Sequence, residues 1–448
     1  MTAILSNEKC QTELSEIVVQ HMKIAIITRL FSGLARSMDN LEWKPYGVPA
    51  IYKLIEGLNG RRVTTDVYFL CKSEEESKNT KSIIKHKFIE LPFVTFIVIP
   101  FYTLKVNSSK VKQIYNNSVQ YSKLICRYLF CQSYDLFYLD RSNIVLASML
   151  SFFGMKTVVR FLGIANFKYF TDRLRYRVIS PLVYLGLKIP YSLVICTEDG
   201  SPSKKLFSEC LNKKTPYSII LNGVDLNTAF EGELMSIRTK YSIKDHIPII
   251  LFVGRLTEDK GCLEFVDSLI KLKSYTYNYV AILICGDDDY SVLQNKINNN
   301  GLINNVIFEK HIEQKHIHSY FEQVDIYVSL NRMGNLSNTV LEAMTAGKCI
   351  IMLGKDEATH TDEVTEKLVP YDVVMRIDRN NIIDGLIERL IELIDNPKKI
   401  THYSEQMRAF ANGFLWSWDE RINCEIELLQ KVARNESIED RCLVRPKT

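Results

Sequence analysis

Short apolar runs alternate with longer segments of helical period along the chain, and this alternation most restricts its fold. The first half contains KIAIITRL, VTTDVYFL, DLFYLD, TVVRFLG and SLVICT, and the second contains IILFVGRL, VAILICGD, NVIFEK, DIYVSL and CIIML. Strands that alternate with helices form parallel sheets with helices on both faces. Near-continuous hydrophobicity within the runs is typical of strands that are buried on both sides. The sequence therefore predicts an α/β protein.

The pattern restarts once, after SIILNGVDLNTAF at residues 218–230, where Asn222 and Gly223 supply a turn. A length of 448 residues suggests roughly two or three domains. We predict an N-terminal extension at 1–22, a Rossmann-like domain at 23–222, a second Rossmann-like domain at 223–412, and a terminal helix with a tail at 413–448. Two doubly wound domains that face each other leave a cleft, and ligands bind beyond the carboxyl ends of the strands.

The composition is that of an ordinary globular protein and argues against several function classes. The formal net charge is only +4 over 448 residues, which is too little to indicate a nucleic-acid groove. The 11 cysteines are odd in number and include no C-x-x-C pair, which favours buried thiols in a reducing cytosol. The N-terminus lacks the basic start and apolar core of a secretion signal. The apolar segment at 93–104 is too short to span a membrane and is predicted to be a buried strand and loop.

Two cations follow a strand of the second domain, in LFVGRLTEDKG at residues 251–261. The strand ends in Gly254 and Arg255, and Lys260 lies at the end of the polar loop. Arg255 can make forked hydrogen bonds and Lys260 supplies a point charge, which together suit a diphosphate. The alternative is a solvated loop that carries two ordinary surface cations.

The segment NRMGNLSNTVLEAMTAGKCIIM at residues 331–352 predicts a glycine turn, a helix and a second strand. A helix that starts at Ser337 or Asn338 leaves the amides of Thr339 and Val340 without partners inside the helix, and its dipole favours an anion. The carboxylate of Glu342 leans toward the same end and suits the vicinal hydroxyls of a ribose. A glutamate that only complements the helix dipole is the equally open alternative.

These motifs, in this order and spacing, resemble the retaining nucleotide-sugar-dependent glycosyltransferases of family 4, also called glycosyl transferases group 1, which have the GT-B fold. The resemblance rests on NGVD, FVGRLTEDKG, VDIYVSL and NLSNTVLEAMTAG, and it extends to the closing helix WSWDERINCEIELL. It implies a donor site in the second domain. It also implies an acceptor site in the first domain, near the loop around Gly33 and the helix start YGVPAIYKLIEGL.

The resemblance also implies roles for single residues. Arg255 and Lys260 are expected to bind the donor's diphosphate and Glu342 its ribose, and these three are the predicted catalytic residues. The predicted donor-binding residues are Gly254, Arg255, Lys260, Gly334, Asn335, Leu336, Ser337, Asn338, Thr339, Val340 and Glu342. No metal and no cofactor are implied, because the nucleotide-sugar donor is a substrate.

The sequence departs from the family's pattern in two places. Members usually carry two glutamates separated by seven residues, and counting back from Glu342 puts Gly334 at the first of them, with Asn335 where glycine is usual. We expect this departure to change the contacts with the donor sugar, with Asn335 or Arg332 as candidates to fill the space. Many members also have a histidine at the position of Leu162, and Arg160 is the nearby candidate to replace it.

Two clusters have the residue types of metal ligands without a recognised ligand spacing. They are GDDDY at residues 286–290 and the histidines His311, His316 and His318. We predict no metal site from either cluster.

The segment at residues 167–193 mixes cations with aromatic and aliphatic residues. The cations are Lys168, Arg173, Arg175 and Arg177. Such a face either lies on an anionic membrane, where a lipid-linked acceptor would be found, or packs its apolar side on the first sheet. The sequence favours packing and leaves peripheral membrane contact open.

The combined prediction is a glycosyltransferase that moves a sugar from a nucleotide diphosphate sugar to a hydroxyl acceptor with retention. We expect it to act in polysaccharide or glycolipid synthesis in the cytoplasm or at the inner face of the membrane. The alternative is a catalytically retired homologue that binds nucleotide-sugar or a partner enzyme without turnover. A dehydrogenase has little support, since no G-x-G-x-x-G follows the first strand.

Overall fold

The computed structural model of the chain describes residues 22–71, 84–100, 119, 129, 132–164, 181–226, 236–285, 290–309, 312 and 314–443. Its strands are β1 (Lys23–Thr28), β2 (Thr64–Cys71), β3 (Ile84–His86), β4 (Val94–Pro100), β5 (Leu136–Asp140), β6 (Thr157–Phe161), β7 (Leu193–Glu198), β8 (Tyr217–Leu221), β9 (Gly223–Val224), β10 (Ile249–Val253), β11 (Val280–Ile284), β12 (Val306–Glu309), β13 (Ile326–Ser329), β14 (Cys349–Leu353), β15 (Met375–Ile377), β16 (Trp416–Ser417) and β17 (Arg441–Leu443).

Its helices are α1 (Ser32–Asn40), α2 (Pro49–Gly60), α3 (Ile144–Phe152), α4 (Pro181–Leu187), α5 (Ser203–Cys210), α6 (Ile237–Lys240), α7 (Cys262–Leu272), α8 (Ser291–Asn299), α9 (Gln314–Gln323), α10 (Asn338–Thr345), α11 (Glu363–Leu368), α12 (Ile382–Asp395), α13 (Pro397–Phe414) and α14 (Trp418–Arg434). None of these described helices is both long enough and apolar enough to cross a membrane.

Most of the described strands form two separate, mainly parallel sheets, and β9 and β16 pair with each other in a short third sheet. Among the described residues, the first sheet has nine strands in the order β17-β8-β7-β6-β5-β1-β2-β4-β3, with β3 antiparallel to β4. The second sheet has six described strands, all parallel, in the order β12-β11-β10-β13-β14-β15. All ten apolar runs predicted as strands form strands, and the apolar segment after residue 93 supplies β4. The predicted α/β fold with two Rossmann-like sheets is confirmed.

Each sheet is covered on both faces, which explains the near-continuous hydrophobicity of its strands. In β1, Ile24 and Ile26 belong to one apolar cluster, whereas Ala25 and Ile27 belong to the cluster on the opposite face. The second sheet is likewise flanked by two buried clusters. Neighbouring residues on a strand point to opposite faces, so a strand buried on both sides needs apolar residues at successive positions.

The last long helix, α14, returns to the first sheet. It begins with a capping box in which the Ser417 hydroxyl accepts a hydrogen bond of 3.1 Å from the amide of Glu420, while the Glu420 side chain accepts one from the amide of Ser417. It then packs on α2, where any side chain at Gly57 would overlap Ile422. The domain boundary near Asn222 itself stays a prediction.

Candidate active site

A cavity of about 930 Å³ lies between the two sheets. One wall comes from the first sheet's side, through α1, the segment that follows it and the start of α2. The other wall comes from the second sheet's side, through the ends of β10 and β11 and the start of α10. The described residues that line it are Arg36, Ser37, Asn40, Glu42, Lys44, Pro45, Tyr46, Gly47, Pro49, Val253, Gly254, Arg255, Ile284, Cys285, Ile312, Ile317, Asn338, Thr339 and Glu342.

Of the two predicted phosphate-binding cations, Arg255 faces this cavity. Its side chain is exposed and makes no ion pair with any residue that the structure describes. Lys260 lies beside Gly254, where an added Cβ would stand 3.4 Å from the Lys260 Cβ. Burial lowers the pKa of Lys260, and the neighbouring Asp259 opposes that effect. The two cations therefore stand at the end of β10, although Lys260 is not part of the cavity lining.

The start of α10 presents polar groups to the same cavity. Ser337 is the N-cap residue, and its hydroxyl makes no capping bond to the helix amides. Asn338 and Thr339 line the cavity, and Asn338 accepts a hydrogen bond of 2.7 Å from the Asn222 side chain. The expectation of a free amide at Val340 is wrong, because that amide donates to the Ser337 carbonyl at 2.9 Å.

Glu342 faces the cavity from the first turns of α10 and also borders a smaller pocket of about 70 Å³ with Asp225. Burial raises the pKa of Glu342 to about 8, and the charge of Asp225 adds to that effect. A carboxyl group held out of water disfavours its ionised form unless donors reach it. Glu342 is therefore placed to accept hydrogen bonds from a ligand that carries hydroxyl groups.

The loop before α10 packs against the opposite domain rather than lining the cavity. A side chain at Gly334 would overlap the Asp199 carbonyl and lie 2.8 Å from the Gly200 carbon and from the Ser201 nitrogen. Gly334 also has a φ of +143°, which favours glycine. Two residues later, the amide of Leu336 donates a hydrogen bond of 3.0 Å to the Asp199 carbonyl.

Asn335 is fully buried and used within the protein. Its amide and side-chain nitrogens donate to the two carboxylate oxygens of Asp362, each at 2.7 Å, and its side-chain oxygen accepts from Ser329 at 3.1 Å. Asp362 also pairs with Arg379, and its own amide donates to the Gly200 carbonyl at 2.7 Å. The loop is thus fixed to the turn after β7 by hydrogen bonds on both sides.

Comparison with known proteins identifies a domain in the second half of the chain. Residues 236–410, which include both cations and the whole of α10, match the family model described as "Glycosyl transferases group 1". The chain carries a glycosyl transferases group 1 domain. The domain is that of the nucleotide-sugar-dependent, retaining glycosyltransferases of family 4. No curated protein sequence matches the chain significantly.

Solved structures match over nearly the whole chain and establish the GT-B fold. Sucrose-phosphate synthase from Thermosynechococcus elongatus has a TM-score of 0.66 at 14% identity, covering 93% of this chain and 100% of that one. HepE of Anabaena in complex with UDP-glucose has a TM-score of 0.61 at 18% identity, covering 93% and 99%. A glycosyltransferase from Rickettsia africae has a TM-score of 0.61 at 17% identity, with the same coverage.

The residues that depart from the family's sequence pattern have definite surroundings. Leu162 packs on the apolar core of the first sheet. Arg160 cannot replace a histidine in the cleft, because its fully buried guanidinium donates to the Phe161 carbonyl at 2.6 Å and to Thr197 at 2.8 Å. The expectation that Arg160 compensates is therefore wrong.

Arg332, the other candidate to fill the space beside Gly334, pairs instead with Glu264 of α7. Its carbonyl accepts a hydrogen bond from Arg379 at 3.0 Å, and it is absent from the described cavity lining. The structure gives it a role in fixing the loop.

On the first-domain side, close packing around Gly33 holds the wall of the cavity in place. A side chain at Gly33 would overlap the main chain of Tyr46, so α1 and the segment after it pack closely. The facing residues Arg36, Lys44 and Tyr46 then contribute to the lining. The predicted acceptor-binding role of this wall stays a prediction.

Sequence reasoning missed the acidic turn after β7. Glu198 ends β7 and Asp199 follows it, as site residues often follow strands, but no spacing pattern distinguishes them. Burial raises the pKa of Glu198 to about 8 and that of Asp199 to about 6. Perturbed carboxyl groups are candidates for function, although neither of these two lines the described cavity.

The two clusters of potential metal ligands are only partly described. Residues 286–289 and His311 lie outside the described residues. Within the described part of the chain, which includes His316 and His318, no group of three or more histidine, cysteine, aspartate or glutamate side chains could hold a metal ion.

Proposed function

We propose that this glycosyltransferase moves a sugar with retention from a nucleoside diphosphate sugar, held by the second domain, to a hydroxyl acceptor held by the first. The observation that carries this proposal is the cavity of about 930 Å³, in which Arg255 and the start of α10 face α1 and the segment after it. It has the size of a site for a drug-sized or larger ligand. The product would belong to polysaccharide or glycolipid synthesis.

The donor's position follows from charge and hydrogen bonding. Arg255 is an unpaired cation within the described part of the chain, and the start of α10 favours anions, so the diphosphate would lie between them. Glu342 lies further along α10 and would accept from the ribose hydroxyls. Lys260 would add its charge from the end of β10.

The reaction breaks the bond between the anomeric carbon and the diphosphate oxygen and forms a bond from that carbon to the acceptor oxygen. Negative charge grows on the leaving diphosphate as the bond breaks. The reaction is accelerated most if that charge is stabilised in the transition state by Arg255, Lys260 and the amides at the start of α10. The leaving phosphate would accept the acceptor's proton. This same-face attack accounts for retention without a protein nucleophile.

UDP-glucose is the first donor to test. HepE of Anabaena, which shares the fold at 18% identity, is described in complex with UDP-glucose, and also with UDP and glucose together. GDP and ADP sugars complete the panel, because the base remains open in this chain.

We propose that the protein acts at the inner face of a membrane, on a lipid-linked acceptor. The sequence leaves membrane contact open for the segment at residues 167–193. Residues 167–180 of that segment lie outside the described residues. Beside it, an apolar groove of about 370 Å³ includes Phe152 and Phe153, which are 81% and 55% exposed, and Leu185. Exposed aromatic and aliphatic side chains fit the apolar boundary of a bilayer, and the cations in the sequence between residues 168 and 177 would suit an anionic one. Flotation with phosphatidylglycerol vesicles tests this location.

The decisive experiment measures binding and turnover separately. Isothermal titration with UDP, GDP and ADP identifies the nucleotide, and release of nucleoside diphosphate from its sugar conjugates measures hydrolysis or transfer. We expect binding of one nucleotide and turnover of at least one conjugate. Binding without any turnover would support the catalytically retired homologue, and absence of nucleotide binding would contradict the proposed donor site.

A further inference from the structure

A line of hydrogen bonds runs from the buried core of the first sheet to the cavity. Arg160 of β6 donates from Nη2 to the Thr197 hydroxyl oxygen at 2.8 Å. The Thr197 hydroxyl lies 3.5 Å from Oδ1 of Asn222, and Nδ2 of Asn222 donates to Oδ1 of Asn338 at 2.7 Å. Asn338 is the first residue of α10 and lines the cavity. The line therefore connects a fully buried cation with a side chain that a ligand in the cavity can contact.

The cation at the start of the line decides the direction of each hydrogen bond. A guanidinium group carries donors and no acceptor, so the Thr197 oxygen accepts from Arg160. A hydroxyl group has one hydrogen, and that of Thr197 is left to donate to the Asn222 oxygen. Asn222 then turns its amide nitrogen toward Asn338, which accepts through its oxygen. Of the two ways in which the Asn338 amide can be turned, the line selects one.

Both ends of this arrangement are attached to fixed parts of the fold. Arg160 forms an ion pair of 3.6 Å with Glu425 on α14, and both side chains are fully buried. Asn222 is buried and directly follows β8. The next residue, Gly223, packs so closely on α14 that any side chain there would overlap the main chain of Trp418. The Asn222 side chain therefore extends from a main chain with little freedom to move.

The orientation leaves a donor for a ligand. Among the described residues, no hydrogen-bond acceptor reaches Nδ2 of Asn338, and this side chain is only half-buried at the cavity wall. Arg255 lines the same cavity. An amide N–H near a cation suits a phosphate oxygen, whereas the opposite orientation would set the amide oxygen against that negative charge. The direction of the hydrogen bond from Asn222 thus matters for an anionic ligand.

We propose that Asn222 is a positioning residue that turns the Asn338 side chain so that its Nδ2 donates a hydrogen bond to the donor's diphosphate. Asn222 is absent from the lining of the described cavity and acts through Asn338. Thr197 supports the same orientation from the first sheet. This inference rests on the proposed function, since it requires a nucleoside diphosphate group between Arg255 and the start of α10.

Asn222→Asp is the test variant, because a carboxylate has no donor for the Asn338 oxygen. The Asn338 amide should turn over, donate to the new carboxylate and present its oxygen to the diphosphate. Titration with UDP, GDP and ADP identifies the nucleotide that the parent protein binds, and the variant should bind it about tenfold more weakly. Thermal unfolding without nucleotide should stay close to that of the parent, because the two side chains remain hydrogen-bonded in the reverse direction.

A second background, Asn338→Ala, shows whether Asn222 acts through Asn338. This variant alone should lose about tenfold in affinity. Adding Asn222→Asp to it should then cost about threefold or less, which measures the effect of the added charge. Asn222→Ala adds no charge, so it should weaken binding about threefold in the parent and leave binding unchanged in the Asn338→Ala background. Such a difference between backgrounds is expected only for residues that act together.

Asn212→Asp is the matched control. The Asn212 side chain also joins two segments, since its Nδ2 donates to the Lys188 carbonyl at 2.6 Å, but it is absent from the lining of the described cavity. Its affinity for the nucleotide should stay within about twofold of the parent value.

The outcomes separate this inference from the proposed function. Three results overturn the inference while nucleotide binding by the parent leaves the proposed function standing: full affinity in Asn338→Ala, full affinity in both Asn222 variants, or losses from the Asn222 variants that are equal in the two backgrounds. Equal losses would mean that Asn222 acts only through its charge or through the fold. A parent protein that binds none of the three nucleotides contradicts the proposed function, and with it this inference.

Discussion

Tyr138, in the first sheet, donates a hydrogen bond of 2.6 Å to Glu425 on α14, 287 residues later in the chain. Glu425 also forms ion pairs with Arg160 and Arg421, and the side chains of all three charged residues are fully buried. One carboxylate therefore compensates two buried cations. Burial, together with the repulsion from Arg160, lowers the pKa of Arg421 to about 9. This cluster anchors the last helix to the sheet.

We expect Glu425→Gln to destabilise the protein severely. Removing the carboxylate leaves two buried guanidinium groups without a counter-charge, which typically costs about 3–5 kcal/mol. The free energy of unfolding is measured by urea denaturation, with Glu427→Gln on the exposed face of α14 as the matched control. Equal stability of the two variants would show that the cluster does not anchor the helix.

Gly334→Ala should disturb the junction between the domains. The added methyl group meets the main chain of residues 199–201, and the φ of +143° is strained for any side chain, at a cost of about 1–3 kcal/mol. Thermal unfolding measures the effect. Gly413→Ala, in an open part of α13, is the control and should stabilise by about 0.5–1 kcal/mol. A Gly334→Ala variant as stable as the parent would contradict the close packing of this loop.

Arg255→Ala and Lys260→Ala should reduce turnover much more than stability. Both residues stand on the loop after β10, and a charge-assisted hydrogen bond to phosphate contributes about 1.5–3 kcal/mol. Steady-state release of nucleoside diphosphate is the readout, with thermal unfolding alongside it. Lys271→Ala, which removes an exposed cation on α7 that pairs with Asp384, is the control. Turnover near the parent value in both variants would refute the diphosphate assignment.

Nucleotide affinity should depend on pH through Glu342. Because its pKa is raised to about 8, the carboxyl is mostly protonated at pH 6 and mostly ionised at pH 9. The ionised form accepts ribose hydroxyls better, so affinity in the parent protein should rise over this range. Glu342→Gln should show a flat profile, and Asp225→Asn should move the rise to lower pH by removing a neighbouring negative charge. Titrations at several pH values check this, and a parallel rise in Glu342→Gln would refute it.

Stability should fall with rising pH because of Glu198. Burial and then Asp199 raise its pKa from 4.5 to about 8. Between those values the folded protein retains a proton that the unfolded chain has lost, so the free energy of unfolding decreases as pH rises. Glu198→Gln should therefore stabilise the protein at pH 8, by about 1–3 kcal/mol, and hardly at pH 5. Denaturation curves at both pH values decide this, with the exposed Glu405→Gln as control. A gain of equal size at both pH values would contradict the prediction.

The sequence by itself determined the strands and several of the positions after them that face the cavity. Strands such as β1 and β10 must be apolar at successive positions because both faces of their sheets are covered, so the pattern is local and readable. Arg255 follows the end of β10 and Glu342 lies on the helix that follows β13, and the parallel topology brings the ends of these strands to one edge of the sheet. The fold class and the cavity-facing positions could therefore be predicted.

Tertiary structure alone decided which residues of the segment 331–342 face the cavity. The sequence predicts donor-binding roles for Gly334, Asn335 and Leu336. In the structure, however, Asn335 is hydrogen-bonded to Asp362, and Gly334 and Leu336 contact the turn at residues 199–201. Those partners are far away in sequence, and no local spacing announces them. A group whose hydrogen bond a distant residue already satisfies is not available to a ligand. Which groups are satisfied is fixed only by the tertiary structure, within the second domain for Asn335 and between the two sides of the cleft for Leu336.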